Sequence, residues 1–239
     1  MKIAFINGSP KVKNSASGCL LEDLKQNFPT DTQITEFGFH TPQLNKNAIQ
    51  ELYQADVWVF SFPLYVDGIP GQLLSCLVQL ERAMYPDNAC RNPRSTLTSA
   101  KTTQQESKTA ETDSKKQIHI YGIANCGFYE GIQAEYALDI LKNWCAKAGH
   151  IWGGGIGVGG GGGLAQMPDV PGGHGPKAPV HAALKTLAEK ILASESLENQ
   201  YVSVAFPRFL YKVAAQTGWR QMIRANGGKA WDLKKRPEV

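Results

Sequence analysis

The residues best suited to chemistry lie in three short loops, each following an apolar run. The first opens at Asn7-Gly8-Ser9-Pro10 and continues through Lys, Asn and Ser before a helical pattern begins. Gly8 lets the backbone turn sharply, while Ser9, Asn14, Ser15 and Ser17 bring hydroxyl and amide groups beside the free N–H groups of a helix start. Such a place suits a phosphate, because unpaired amides and the helix dipole both favour an anion. Lys11 or Lys13 adds charge. The competing reading is that Ser15 or Ser17 only caps the helix. The second loop, FPLYVDGIPGQL from Phe62, sets Tyr65 at the end of the most apolar run and follows it with Asp67, Gly68 and Gly71. An aromatic among permissive backbone can lie against a flat heterocycle while main-chain groups read that ring's polar edge. A half-buried core tyrosine is the plainer alternative. The third, ANCGFYEGIQ from Ala124, again places aromatics, Phe128 and Tyr129, beside glycines. The signal is the recurrence of one design three times.

Other chemistries leave no trace. There is no G-x-x-x-x-G-K-[ST], and no G-x-G-x-x-G follows the first strand. A formal match at Gly157, Gly159 and Gly162 falls in the run GGGIGVGGGGG, where it is nearly unavoidable. That run reads as a mobile loop limited by Pro168, Pro171 and Pro176, with His174 within it. No Ser/His/Asp set, paired carboxylates or metal-ligand spacing appears, so no catalytic residue is assigned and no metal is expected. The five cysteines, Cys19, Cys76, Cys90, Cys126 and Cys145, form no C-x-x-C pair and suit reduced thiols. Cys126 sits in the third loop, but no second cysteine is spaced to resolve a disulfide with it.

The elements that must position these loops follow from periodicity. Short apolar runs at Lys2 to Ile6, Gln33 to Phe39, Val57 to Phe60, Ile118 to Ala124 and Ile151 to Val158 read as five strands. Between them lie helical patterns: Leu20, Leu21 and Leu24; then Leu73, Leu74, Leu77, Val78 and Leu80 after Pro70; then Tyr136, Ile140, Leu141 and Trp144 up to Gly149. Pro179 to Ala193 reads as the closing helix. Alternating βα units predict an α/β fold, an open doubly wound parallel sheet whose ligands bind beyond the carboxyl ends of its strands. The three loops occupy those ends.

Composition sets the outline. A chain of 239 residues, 42% apolar, builds one main domain, here residues 1–197. It shows no signal peptide and no membrane-length apolar run, so the cytoplasm is the expected location. At about 86–117 the sequence turns to Ser, Thr, Lys, Gln and Glu, with too little apolar surface to offset ordering entropy, and reads as a flexible insertion. Residues 198–239 form an extension with eight Lys or Arg against three acids, a net of +5 in a chain whose total is +4. Its stretch from Phe206 reads as a basic, aromatic helix. Packing on its own domain, or on a second copy in a homodimer, is expected ahead of peripheral contact with a membrane, and nucleic acid is not expected.

Three segments in order, INGSPK with NSAS, PLYVDGIPGQL, and NCGFYEGIQAEYALDILKNWCAKAG, resemble the flavodoxin-like NADPH-dependent FMN reductase and quinone reductase superfamily. The likeness runs from Met1 to about Gly163, interrupted by the insertion. It implies a flavodoxin-like fold and FMN: Ser9, Asn14, Ser15 and Ser17 on the phosphate; Pro63, Leu64, Tyr65, Val66 and Asp67 along the ribityl chain and isoalloxazine; Asn125, Cys126, Gly127 and Phe128 at the ring's other side. It also implies NAD(P)H as co-substrate and a quinone, a flavin or a similar small molecule as electron acceptor. The first loop departs from the Thr/Ser-x-Thr-Gly-x-Thr loop of electron-carrying flavodoxins. A flavodoxin-type carrier, or a non-enzymatic flavin-binding protein docked through its basic tail, are the alternatives. The near-neutral body and basic tail rank the carrier below the reductase.

Because the insertion offers little apolar surface, deletion of Asn92 to Ser114 is expected to leave the thermal midpoint and flavin content nearly unchanged. Insoluble protein would show instead that the segment packs on the core.

Overall fold

In the computed structural model, which describes residues 1–84, 116–164, 170 and 173–236, alternation along the central strands divides the core in two. In β1 (Lys2–Asn7), Ala4 and Ile6 face one layer while Ile3 and Phe5 face the other. In β3 (Val57–Pro63), Trp58, Phe60 and Phe62 go one way, Val57 and Val59 the other. Period-two side chains on a strand apolar at every position require cover on both faces. Helices α2 (Lys46–Leu52), α3 (Gly71–Met84) and α4 (Glu135–Lys147) supply it on the first face. Helices α1 (Ala16–Lys25) and α6 (Ala178–Ala193) supply it on the second.

The sheet is wholly parallel, in the order β2-β1-β3-β4-β5-β6, with β2 Gln33–Gly38, β4 His119–Asn125, β5 Ile151–Gly159 and β6 Gln200–Ser203. The first five strands follow the flavodoxin-like order, which reverses direction between β1 and β3. The doubly wound α/β class is therefore observed, with one correction. The sheet has six strands rather than five, because Gln200–Ser203 pairs with Ile156–Gly159 at the edge. This strand comes from the segment expected to be a helical extension. At four residues it is too short for periodicity to reveal. The tail then forms α7 (Arg208–Ala225) and a 3-10 turn, Ala230–Lys234. None of the α7 residues is buried, and the helix meets its own domain through its first turn, where Arg208 pairs with Glu130 and Tyr211 reaches Gly127.

The glycine run also departs from expectation. Gly153 to Gly159 belong to β5 and Gly161–Leu164 form a short helix, α5. A 3-10 turn, Gly131–Ala134, lies directly across the strand: a Cβ on Gly157 would stand 2.6 Å from the Gly131 carbonyl oxygen, and one on Gly159 would stand 2.1 Å from that of Tyr129. No side chain fits there. The insertion expected at 86–117, apart from Lys116 and Gln117, lies outside the described residues, as do Cys90, Pro168 and Pro171.

At the opposite edge of the sheet from the loops, His150 is buried against Trp58 and Trp144, ring centroids 5.4 and 6.4 Å away. Its Nδ1 accepts from the Ile118 amide at 3.4 Å, and Nε2 has no partner. Burial pushes its pKa down to about 4, so the imidazole stays neutral in the fold. The unfolded chain, titrating near 6.5, binds the extra proton between these values. Stability is therefore full above about pH 6.5 and falls as the pH drops toward 4, by about 3 kcal/mol. Urea unfolding across that window is expected to show this loss in the native chain and a much flatter profile in His150→Gln.

Candidate functional site

The carboxyl ends of β1, β3 and β4 bring the three loops to one edge. In the first, Asn7 organises the turn: its Oδ1 accepts from the Ser9 amide at 3.1 Å and its Nδ2 donates to Ser15 Oγ at 3.2 Å. Ser15 is the N-cap of α1, accepting from the Gly18 amide at 3.0 Å. The capping reading is thus realised at Ser15. The first-turn amides of Ala16 and Ser17 point out of the helix end with no partner among the described residues. Ser9 is buried, its hydroxyl accepting from the Lys11 amide at 3.2 Å. Asn14 is exposed with φ of 51°, a conformation Asn tolerates better than most residues.

Ser17 faces inward. Its hydroxyl accepts from Asn125 Nδ2 at 2.8 Å, and its carbonyl accepts from Ser61 Oγ at 2.9 Å. Asn125 Nδ2 also donates to the Phe62 carbonyl at 3.0 Å. This buried set joins the start of α1, the end of β3 and the end of β4, so Ser17 and Asn125 hold the loops together from beneath.

The second loop continues the tie, with the Leu64 amide donating to the Asn125 carbonyl at 2.7 Å beside the paired Pro63 and Asn125. Tyr65 and Gly68 then exchange both backbone hydrogen bonds, at 3.1 and 3.0 Å, around a two-residue turn. Val66 and Asp67 both take positive φ, 48° and 57°, the pattern of a type I′ turn. For β-branched Val66 that conformation costs about 1–2 kcal/mol. Its side chain is fully exposed and Tyr65 is half exposed, so the strained turn sets apolar surface outward.

In the third loop Cys126 is buried, its amide donating to the Val158 carbonyl at 2.9 Å. Its thiol faces the carbonyls of Phe128 and Glu130, and burial raises its pKa further from neutrality. A thiol held protonated is a poor nucleophile, which weighs against a redox role. Gly127 and Phe128 are exposed. The structure thus gathers all the expected residues at one edge but splits them by depth. Asn14, Tyr65, Val66, Asp67, Gly127 and Phe128 face solvent, Pro63 and Leu64 are half-buried, and Ser9, Ser15, Ser17, Asn125 and Cys126 lie beneath.

Several contributors escaped the sequence reading. Gln72 Nε2 donates to the Gly8 carbonyl at 3.0 Å, and His40 Nδ1 lies 2.6 Å from the Ser9 carbonyl oxygen. The tail reaches the third loop: Tyr211 Oη donates to the Gly127 carbonyl at 2.6 Å, Arg208 pairs with Glu130, and the rings of Tyr129 and Tyr211 meet edge to face at 5.5 Å. The partners Gly127 and Tyr211 lie 84 residues apart. No local pattern signals such a contact. Among the described residues, no cluster of His, Cys, Asp or Glu is arranged to hold a metal ion.

No family model matches the chain, and no curated protein matches it. Solved structures similar to it include the Trp repressor binding protein from Bacillus subtilis, 18% identical over 80% of this chain and 97% of that one, at a TM-score of 0.49. An NADPH-quinone reductase from P. pentosaceus is 13% identical over 80% and 97%, at 0.49. An FMN-dependent NADH-azoreductase from Bacillus anthracis in complex with FMN is 16% identical over 80% and 99%, at 0.43. Likeness at this level carries nothing to this chain beyond the path its own sheet order already shows.

The inward set makes its own prediction. Asn125→Ala strands the Ser17 hydroxyl and removes the side-chain bond to the Phe62 carbonyl, and is expected to lower unfolding free energy by about 1–3 kcal/mol in urea titration. Ser17→Ala, which leaves the Asn125 to Phe62 bond in place, is expected to cost less. Equal, negligible losses would show that this set does not hold the loops.

Proposed function

We propose that the chain binds FMN across the three loops and acts as an NAD(P)H oxidoreductase, passing electrons to a quinone, a flavin or a similar small acceptor in the cytoplasm. One observation carries this reading: a helix N-terminus with unpartnered first-turn amides lies at the same sheet edge as two exposed aromatics, Tyr65 and Phe128, on the neighbouring loops. The donor set fits a phosphate. The first turn of α1 holds no acidic side chain, its Ala16 and Ser17 amides have no partner among the described residues, and Ser9, Asn14 and Ser15 lie in the loop that leads into it. Tyr65, Val66 and Asp67 would line one side of the flat ring and Gly127 and Phe128 the other, with main-chain groups reading its polar edge.

When bound, FMN supplies the hydride and electron chemistry, and the protein's share is binding, orientation and exclusion of water. This explains why the loops need no acid–base pair. The Ser17–Asn125–Ser61 set fixes the spacing of the loops, and the Val66–Asp67 turn holds Tyr65 outward.

A homodimer belongs to the same reading. Leu74 and Val78 on α3, with Tyr136 and Ile140 on α4, are exposed at helical spacing, and Ile140 approaches Gly68 of the second loop. Along α4, Glu135 and Asp139 precede Lys142 and Lys147, so an antiparallel second copy would set acid against base.

The phosphate assignment is tested at Ser15. Aspartate also caps helices, so Ser15→Asp keeps the fold while setting a carboxylate beside the phosphate. Fluorescence titration is expected to show FMN weakened at least about tenfold more than riboflavin. Equal loss of both would place the phosphate elsewhere, and purified protein that takes up neither ligand would remove the flavin reading itself. Turnover of NAD(P)H with a quinone, with anaerobic reduction in one two-electron stage rather than two, separates the reductase from a carrier.

A further inference from the structure

Helix α7 and the residues after it carry surface that the domain does not use. Over eighteen residues α7 contains Arg208, Lys212, Arg220 and Arg224 and no acid. The following residues add Lys229, Lys234, Lys235 and Arg236. Asp232, the acid among the described residues after Glu198, is occupied by the Lys229 amide and Lys235. Phe209, Leu210, Val213, Trp219, Met222 and Trp231 are all exposed.

This surface has a direction. The 3-10 turn Ala230–Lys234 folds back on α7, and Trp219, Met222, Ile223 and Leu233 surround an open concavity of about 410 Å³ there. On the side facing the body, Tyr211 is tied to the third loop. At about 100° per residue, Phe209, Val213, Arg220 and Arg224 form a stripe away from both contacts, with Leu210 and Thr217 beside it. The apolar end of the stripe lies at the first turn of α7, where the helix meets the third loop. Its basic end lies distal.

We propose that this stripe and the tail's cations rest on an anionic lipid surface, with the Cys126–Glu130 loop held on the opposite side of α7 from it. The charge is complementary: α7 holds four cations and no carboxylate, and exposed apolar side chains lie beside Arg220 and Arg224, so acidic headgroups are the matching surface. A second copy fits less well. A parallel two-fold contact through this stripe would oppose arginine to arginine, and an antiparallel one would set Arg220 and Arg224 on Phe209 and Val213, with no α7 carboxylate to pair them in either case. The tail rests on the surface without crossing it, since no described helix is long and apolar enough to span a membrane.

The test uses the full chain with phosphatidylcholine vesicles, with and without phosphatidylglycerol, and needs no flavin. The chain is expected to co-sediment with the phosphatidylglycerol vesicles. Raising the salt to about 0.5 M is expected to weaken binding roughly tenfold or more. Arg220→Gln with Arg224→Gln is expected to do the same, leaving thermal midpoint, sedimentation coefficient and FMN titration unchanged. Absence of binding, or equal binding to pure phosphatidylcholine, overturns the proposal. So does a dimer that this double variant converts to monomer, which would assign the stripe to a second copy. A chain that binds these vesicles but not FMN keeps this proposal and removes the flavin reading.

Discussion

The site depends on one close approach of backbone to backbone. The segment from Tyr129 to Ala134 lies flat on the outer strands because Gly131, Gly157 and Gly159 present no side chain between them. Any Cβ at Gly159 would collide with the Tyr129 carbonyl. Separating these layers would lift the third loop, with Phe128, from the sheet edge. It would also disturb β6, since a Cβ on Gly131 would meet the Val202 carbonyl oxygen at 2.3 Å. Glycine in a strand interior weakens the strand, and here that cost secures the loop's position.

A second constraint works from below. The loops follow three strands distant in sequence, and each would wander if held only by its own turn. The buried hydrogen bonds among Ser17, Ser61, Asn125 and the Phe62 carbonyl join them across up to 108 residues of chain. In an interior that excludes water these bonds are costly to leave unmade, so the set favours one arrangement over its alternatives. A polar network lies beneath, apolar and aromatic side chains above and unpartnered helix amides to one side, the arrangement from which flavin binding is proposed.

The tail links this surface to whatever the protein docks on. It gives a strand to the sheet, then meets the third loop through Arg208 and Tyr211, and only then departs into solvent, with Lys212, Arg220 and Arg224 in no ion pair among the described residues. Attachment and site share one loop. The apolar content of α7 is too scattered around the helix for a single buried face, so charge carries most of its attraction to an anionic surface.

What the sequence by itself determined was the layered α/β architecture and the three loops. Continuous apolar runs such as Val57 to Phe60 can be buried only between two helical layers, and glycine, serine and aromatic residues after three such runs mark the edge where ligands bind. Local periodicity carries that much because it arises from neighbours along the chain. Only the tertiary structure decided the rest. Gln200–Ser203 became a strand because Ile156–Gly159 offered it an edge, and the glycine run became a strand rather than a loop because another backbone lay across it. Ser17 and Asn125 turned inward because each found the other, while Tyr211 joined the site from a distant helix. Contacts of this kind are decided by which surfaces meet, and one residue's type does not reveal its partner far along the chain.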